Sequence, residues 1–114
     1  MIVTISLWNR TQERMNSRKR LDEATEWARR HYSQSDERRQ AMDLVYAIND
    51  ALPWIAIASL EPSSRLVEDL KLAEWDRAAV RFRYLKVANR TVEVARWMSC
   101  ERIEDLVRYL CNQE

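Results

Sequence analysis

The chain has 114 residues, 46% apolar and 32% charged, with 19 basic against 18 acidic side chains. That length suits a single domain over residues 1–114, and that balance suits a folded chain with its own core rather than a disordered one. Glycine is absent where about 7% is usual, which removes the phosphate-cradling loop, the dinucleotide fingerprint, the strained serine elbow and the calcium loop, all of which need its backbone freedom.

In chain order, residues 2–8 (Ile2-Val3-Thr4-Ile5-Ser6-Leu7-Trp8) are β-branched and alternate, which predicts a strand. Residues 11–32 are polar and rich in helix formers, with Leu21, Ala24, Ala28 and Tyr32 on one face of a long, largely exposed helix. Ser35 or Asp36 can cap a second helix carrying Ala41, Leu44, Val45, Ile48 and Leu52, which Pro53 ends. The apolar run 54–60 reads as a buried strand, and Ser63-Ser64 as the cap of a third helix that ends near Trp75. Residues 79–87 alternate apolar with basic and predict a half-buried strand, Asn89-Arg90 a turn, and 91–98 the returning strand. A last helix follows Ser99, with Ile103, Leu106, Val107, Leu110 and Cys111 on one face. The sum is an α+β fold, order β-α-α-β-α-β-β-α, with a short, mostly antiparallel sheet covered by helices. Residues 65–88 contain neither proline nor glycine and can instead run on as one long helix through Leu70, Ala73, Arg77, Val80 and Tyr84. Positive-φ turns fall to asparagine or aspartate.

One histidine, His31, and two cysteines, Cys100 and Cys111, are too few and too scattered for a Cys/His zinc site, and no cofactor or metal is expected. On one C-terminal helix the two cysteines would stand about 16 Å apart, beyond disulfide reach, which points to reduced thiols and a cytoplasmic setting. No basic region precedes the apolar first residues, unlike a secretory signal, and no run reaches the roughly 18 residues of a membrane span. His31, after Arg29-Arg30 near a helix end, suits the negative pole of the helix dipole better than a general base.

Charge is uneven: residues 1–40 carry nine basic and six acidic groups, 41–76 two and seven, and 77–114 eight and five. The sharpest local feature is the expected hairpin, where Arg81, Arg83, Lys86, Arg90 and Arg96 interleave with Phe82, Tyr84 and Trp97. Such a face could hold single-stranded nucleic acid by stacking and phosphate contacts. Alternation in a strand also turns the aromatics inward and the arginines outward, pairing Lys86 with Glu93 and Phe82 with Trp97, and leaving Arg83 opposite Arg96. Arg81, Arg83, Lys86, Arg90, Arg96 and Trp97 are the candidate binding residues.

With no catalytic constellation, the expectation is a small non-enzymatic regulatory or adaptor protein that binds another macromolecule, foremost a protein, with homo-oligomerisation compatible and no membrane partner. The alternative is nucleic-acid binding through an arginine-rich face made of residues 79–98 and 11–32. The strand, two helices, basic hairpin and last helix, with Ala79-Val80-Arg81-Phe82-Arg83-Tyr84 and Thr91-Val92-Glu93-Val94-Ala95-Arg96-Trp97 as final strands, are similar in order and texture to the RelE/ParE toxin fold. That resemblance implies a small toxin as a third reading, without an active site to carry over.

Overall fold

The computed structural model describes residues 2–112, with side chains from Met15 onward. Among them the helices are α1 (Ile2–His31), α2 (Ser35–Ala51), α3 (Glu74–Ala88), α4 (Val94–Ser99) and α5 (Ile103–Cys111), with a 3-10 turn at Ile57–Ser59. The described residues hold no strand, only an isolated antiparallel bridge between Arg65 and Arg102. The expected α+β sheet is therefore replaced by an all-helical fold.

The strand expected at 2–8 belongs to α1. Its alternation is also a helical pattern, since Val3 and Leu7 are four apart and Ile2, Ile5 and Trp8 three apart. No proline or glycine stands between it and the helix beyond, so each added residue gains a hydrogen bond at little cost. Antiparallel to α1, α2 follows the turn Tyr32-Ser33-Gln34, with Gln34 rather than Ser35 or Asp36 at its N-cap. Ala24, Trp27 and Ala28 meet Ala41, Leu44, Val45 and Ile48 in the core. Leu21, placed on that face by its spacing, is instead half-exposed. Arg20 donates to Asn49 at 2.8 Å and pairs with Asp50 at 3.2 Å, at the last turn of α2. The N-terminal half of α1 thus runs past α2. At about 45 Å for its length, α1 sets the long dimension of the molecule, 49 Å.

The strand expected at 54–60 is an irregular segment that buries Ile55, Ile57 and Leu60. Side chains do the work of a neighbouring strand: Asn49 Nδ2 donates to the Ile55 carbonyl at 2.7 Å and the Trp27 indole to the Leu60 carbonyl at 2.8 Å. The helix expected at 63–75 fails for a similar reason. The Leu66 N–H donates to the Glu101 carbonyl (2.8 Å) and the Ser64 carbonyl accepts from the Ile103 N–H (3.2 Å), so groups a helix would need are committed to the start of α5. One turn forms, with Asp69 and Leu70 donating to the Arg65 carbonyl, and Lys71 stops it at φ 58°. Lys71 joins Asn89 (φ 53°) in the left-handed region, so one such turn fell to a residue other than asparagine or aspartate.

The expected hairpin is absent as well: 79–87 is helix α3 and 91–98 runs into α4. Glu74 and Asp76 suit the positive pole of α3, and Asp76 accepts from the Ala73 N–H at 2.9 Å. The helical alternative for 65–88 thus holds for its second half only. Asn89 closes α3 as a left-handed C-cap, its N–H on the Leu85 carbonyl. Without those strands the resemblance to the RelE/ParE toxin fold has no structural basis. The last helix stands where its spacing put it, although Arg102 rather than Ser99 precedes it and Cys100 lies outside it.

Candidate functional site

Helix α3 carries the chemistry the sequence singled out, but sorts it by a different period. Its inner face buries Val80 and Tyr84, four positions apart, with the Tyr84 ring 5.7 Å from that of Trp97. Tyr84 Oη donates to Gln40 Oε1 at 2.6 Å, and burial pushes its pKa up to about 12, which keeps it a donor. Trp97 is buried and its indole donates to the Arg77 carbonyl at 3.2 Å. Arg77 in turn donates from Nη2 to the Met98 and Cys100 carbonyls, tying α4 to α3.

The outer face presents Trp75, Ala79, Phe82 and Lys86, at steps of four, three and four, with Ala78 beside them, all exposed. Trp75 is 76% and Phe82 54% exposed. The Lys86 ammonium lies 4.6 Å from the centre of the Phe82 ring, where a cation is favoured. A run of large and small apolar side chains along one solvent-facing stripe is what a core-facing helix shows, yet nothing among the described residues covers it.

The six residues singled out from the sequence do not gather into one face. Arg81 sits half-buried on the flank of α3, and Arg83 on the opposite flank is held by Asp50 Oδ2 at 3.1 Å. Lys86 is in the stripe. Arg90, past the end of α3, donates to the Leu110 carbonyl at 3.1 Å, which neutralises the C-terminal end of α5. Arg96 on α4 lies over the Tyr109 ring at 5.5 Å, and Trp97 is core. The pairs expected across a hairpin, Lys86 with Glu93 and Arg83 with Arg96, have no counterpart. Trp75 is not among those six, since the sequence leaves open whether it is exposed or core; its seven-residue spacing to Phe82 acquires meaning only in a helix.

No protein-family model, curated protein or solved structure matches the chain. The site therefore rests on its geometry. Two other features of the surface are less suited to a ligand than the stripe. A polar cleft of about 490 Å³ between α4 and α5 includes Glu93, Arg96, Cys100, Asp105, Arg108 and Tyr109. Asp105 pairs with Arg108 there at 3.4 Å, and burial pushes the Cys100 thiol up, away from the reactive thiolate. His31 closes α1, at the negative pole of its dipole as expected, and packs on Trp27 at 4.6 Å between ring centres. No group of three or more His, Cys, Asp or Glu able to hold a metal occurs among the described residues, and no described helix is long and apolar enough to cross a membrane.

Proposed function

We propose that this chain is a non-enzymatic regulatory or adaptor protein whose docking surface is the outer face of α3. The observation that carries the reading is the exposure of Trp75 and Phe82 one heptad apart, while Trp27, Tyr84 and Trp97 are consumed by the core. Aromatic side chains that project from a rigid helix are the usual anchors of protein interfaces, because they bury much area and lose little freedom. A cytoplasmic setting accords with the Cys100 thiol, which donates to the Arg96 carbonyl at 3.3 Å.

Nucleic-acid binding is the second reading, favoured by the absence of any acidic side chain from Arg77 to Val92. Three of the basic groups there are already committed: Arg77 to α4, Arg83 to Asp50 and Arg90 to α5. Arg81 and Lys86 alone would neutralise about two phosphates, and the salt dependence would be shallow. The test is capture of partners from extract at two salt concentrations, with and without nuclease, by wild type and by Trp75→Ala/Phe82→Ala. A discrete protein that resists nuclease and is lost with the double variant supports docking through α3. Recovery of nucleic acid unaffected by that variant overturns it.

A further inference from the structure

We infer that the outer face of α3 pairs with the same face of a second copy of this chain, antiparallel about a two-fold axis that passes between Ala78 and Ala79. The inference rests on the docking role of that face and names its occupant.

The stripe is its own complement. Trp75 and Phe82 lie equally far, on either side, from the midpoint between Ala78 and Ala79. When two such helices are laid antiparallel about that midpoint, Trp75 of each copy falls against Phe82 of the other. The alanines meet at the crossing, where small side chains allow helix axes to approach to about 8 Å. A seven-residue repeat of large apolar positions is the geometry by which paired helices interlock.

The charges on the flanks agree with this pairing and reject the parallel one. Glu74 and Arg81, seven positions apart, share one flank of α3. Around the same midpoint Glu74 of one copy lies within a turn of Arg81 of the other, twice by symmetry. Neither forms an ion pair among the described residues. On the opposite flank Asp76 and Arg83 have the same spacing but are already engaged, Asp76 at the Ala73 N–H and Arg83 at Asp50, so the pairing rests on Glu74 and Arg81. In a parallel pair opposite flanks come together, so Arg81 of one copy would lie beside Arg83 of the other and Glu74 beside Asp76, which costs binding. A closed two-fold contact also uses up the patch and leaves nothing to extend into a fibre.

The size of the patch sets the strength. Trp75 and Phe82 together expose roughly 300 Å². With the alanines and the flanking stems, the contact falls at the small, transient end of protein interfaces, with a dissociation constant on the order of 100 μM.

The experiment is sedimentation of the full chain from about 5 μM to about 1 mM, bracketing that constant, with far-UV circular dichroism as the check on folding. Wild type should pass from monomer to dimer and go no further. Trp75→Ala or Phe82→Ala should weaken the dimer at least about tenfold with helix content unchanged, because both side chains are outside the core. Glu74→Arg alone and Arg81→Glu alone should each weaken it, and the two together should restore it, since the exchange re-forms both pairs across the axis. A chain that stays monomeric throughout overturns the pairing, as does a dimer indifferent to Trp75→Ala and Phe82→Ala, or one that the double exchange fails to restore. If the chain is monomeric yet loses a different protein partner on Trp75→Ala/Phe82→Ala, self-pairing fails and the docking reading stands. If neither assay responds to those variants, both fail.

Discussion

On α3, Tyr84 and Phe82 are two positions apart, yet Tyr84 is fully buried against Trp97 whereas Phe82 is more than half exposed beneath Lys86. In a strand, two positions apart means the same face, and the two rings would share one fate. In a helix it means nearly opposite faces. The inner face, with Val80, Tyr84 and the Arg77 backbone, is knit to α2 and α4 through Gln40, Trp97 and the α4 carbonyls. The outer face has comparable side chains and no partner within the described residues. One helix therefore buries one aromatic and leaves two in solvent.

Changes on the inner face have the largest effect. Truncation of Trp97 or Tyr84 to alanine removes a fully buried ring and one hydrogen bond, and should cost about 3–5 kcal/mol by urea unfolding. Against a typical domain stability of about 5–15 kcal/mol, that is enough to threaten the fold. Arg77→Met keeps the stem of the side chain but frees the Met98 and Cys100 carbonyls, and should cost about 2 kcal/mol in the same assay, because a charged donor is lost.

A smaller effect is set by pH. Burial pushes the Asp43 carboxyl up from its ordinary 3.8, with Arg39 and Arg90 opposing. The folded chain thus holds that proton more tightly than the unfolded chain, so Asp43 costs stability as pH rises from its unfolded value through its folded one. Asp43→Asn removes that cost. Relative to wild type it should gain stability between pH 4 and pH 7, as read from paired urea titrations at the two pH values. No gain would mean that Arg39 and Arg90 compensate the burial in full. Smallest of all, Trp75→Ala and Phe82→Ala should each change stability by no more than about 0.5 kcal/mol, although both remove large aromatic rings. A loss of several kcal/mol at either position would make the outer face part of the core.

The elements that were legible in the sequence are those whose pattern admits one period. α2 and α5 carry apolar residues at steps of three and four that no strand could place on one face, and Pro53 stops α2 where expected. Residues 79–87 satisfy both periods: apolar and basic residues alternate, and Val80 and Tyr84 are also four apart. What decided between them was non-local, a strand needing a neighbour that no other segment supplied, together with Glu74 and Asp76 at the helix start. The 54–60 segment shows the converse. Its apolar run marks it as buried, but does not show that Asn49 and Trp27 side chains would satisfy its carbonyls. The site was half legible for the same reason. Its arginines and aromatics draw attention to residues 79–98 as a hairpin, whereas Arg83 and Arg90 are tied to Asp50 and the Leu110 carbonyl, and the exposure of Trp75 beside Phe82 follows only from the helical period.

Trp75 stands free on a helix whose opposite face, with Val80 and Tyr84, is core. The most direct measurement is the broadening of indole N–H resonances by a paramagnetic, non-binding cosolute in dilute protein. Trp27 and Trp97 should be protected, since their N–H groups donate to the Leu60 and Arg77 carbonyls, while Trp54 and Trp75 should broaden strongly. A Trp75 resonance as protected as that of Trp97 in dilute solution would contradict the account.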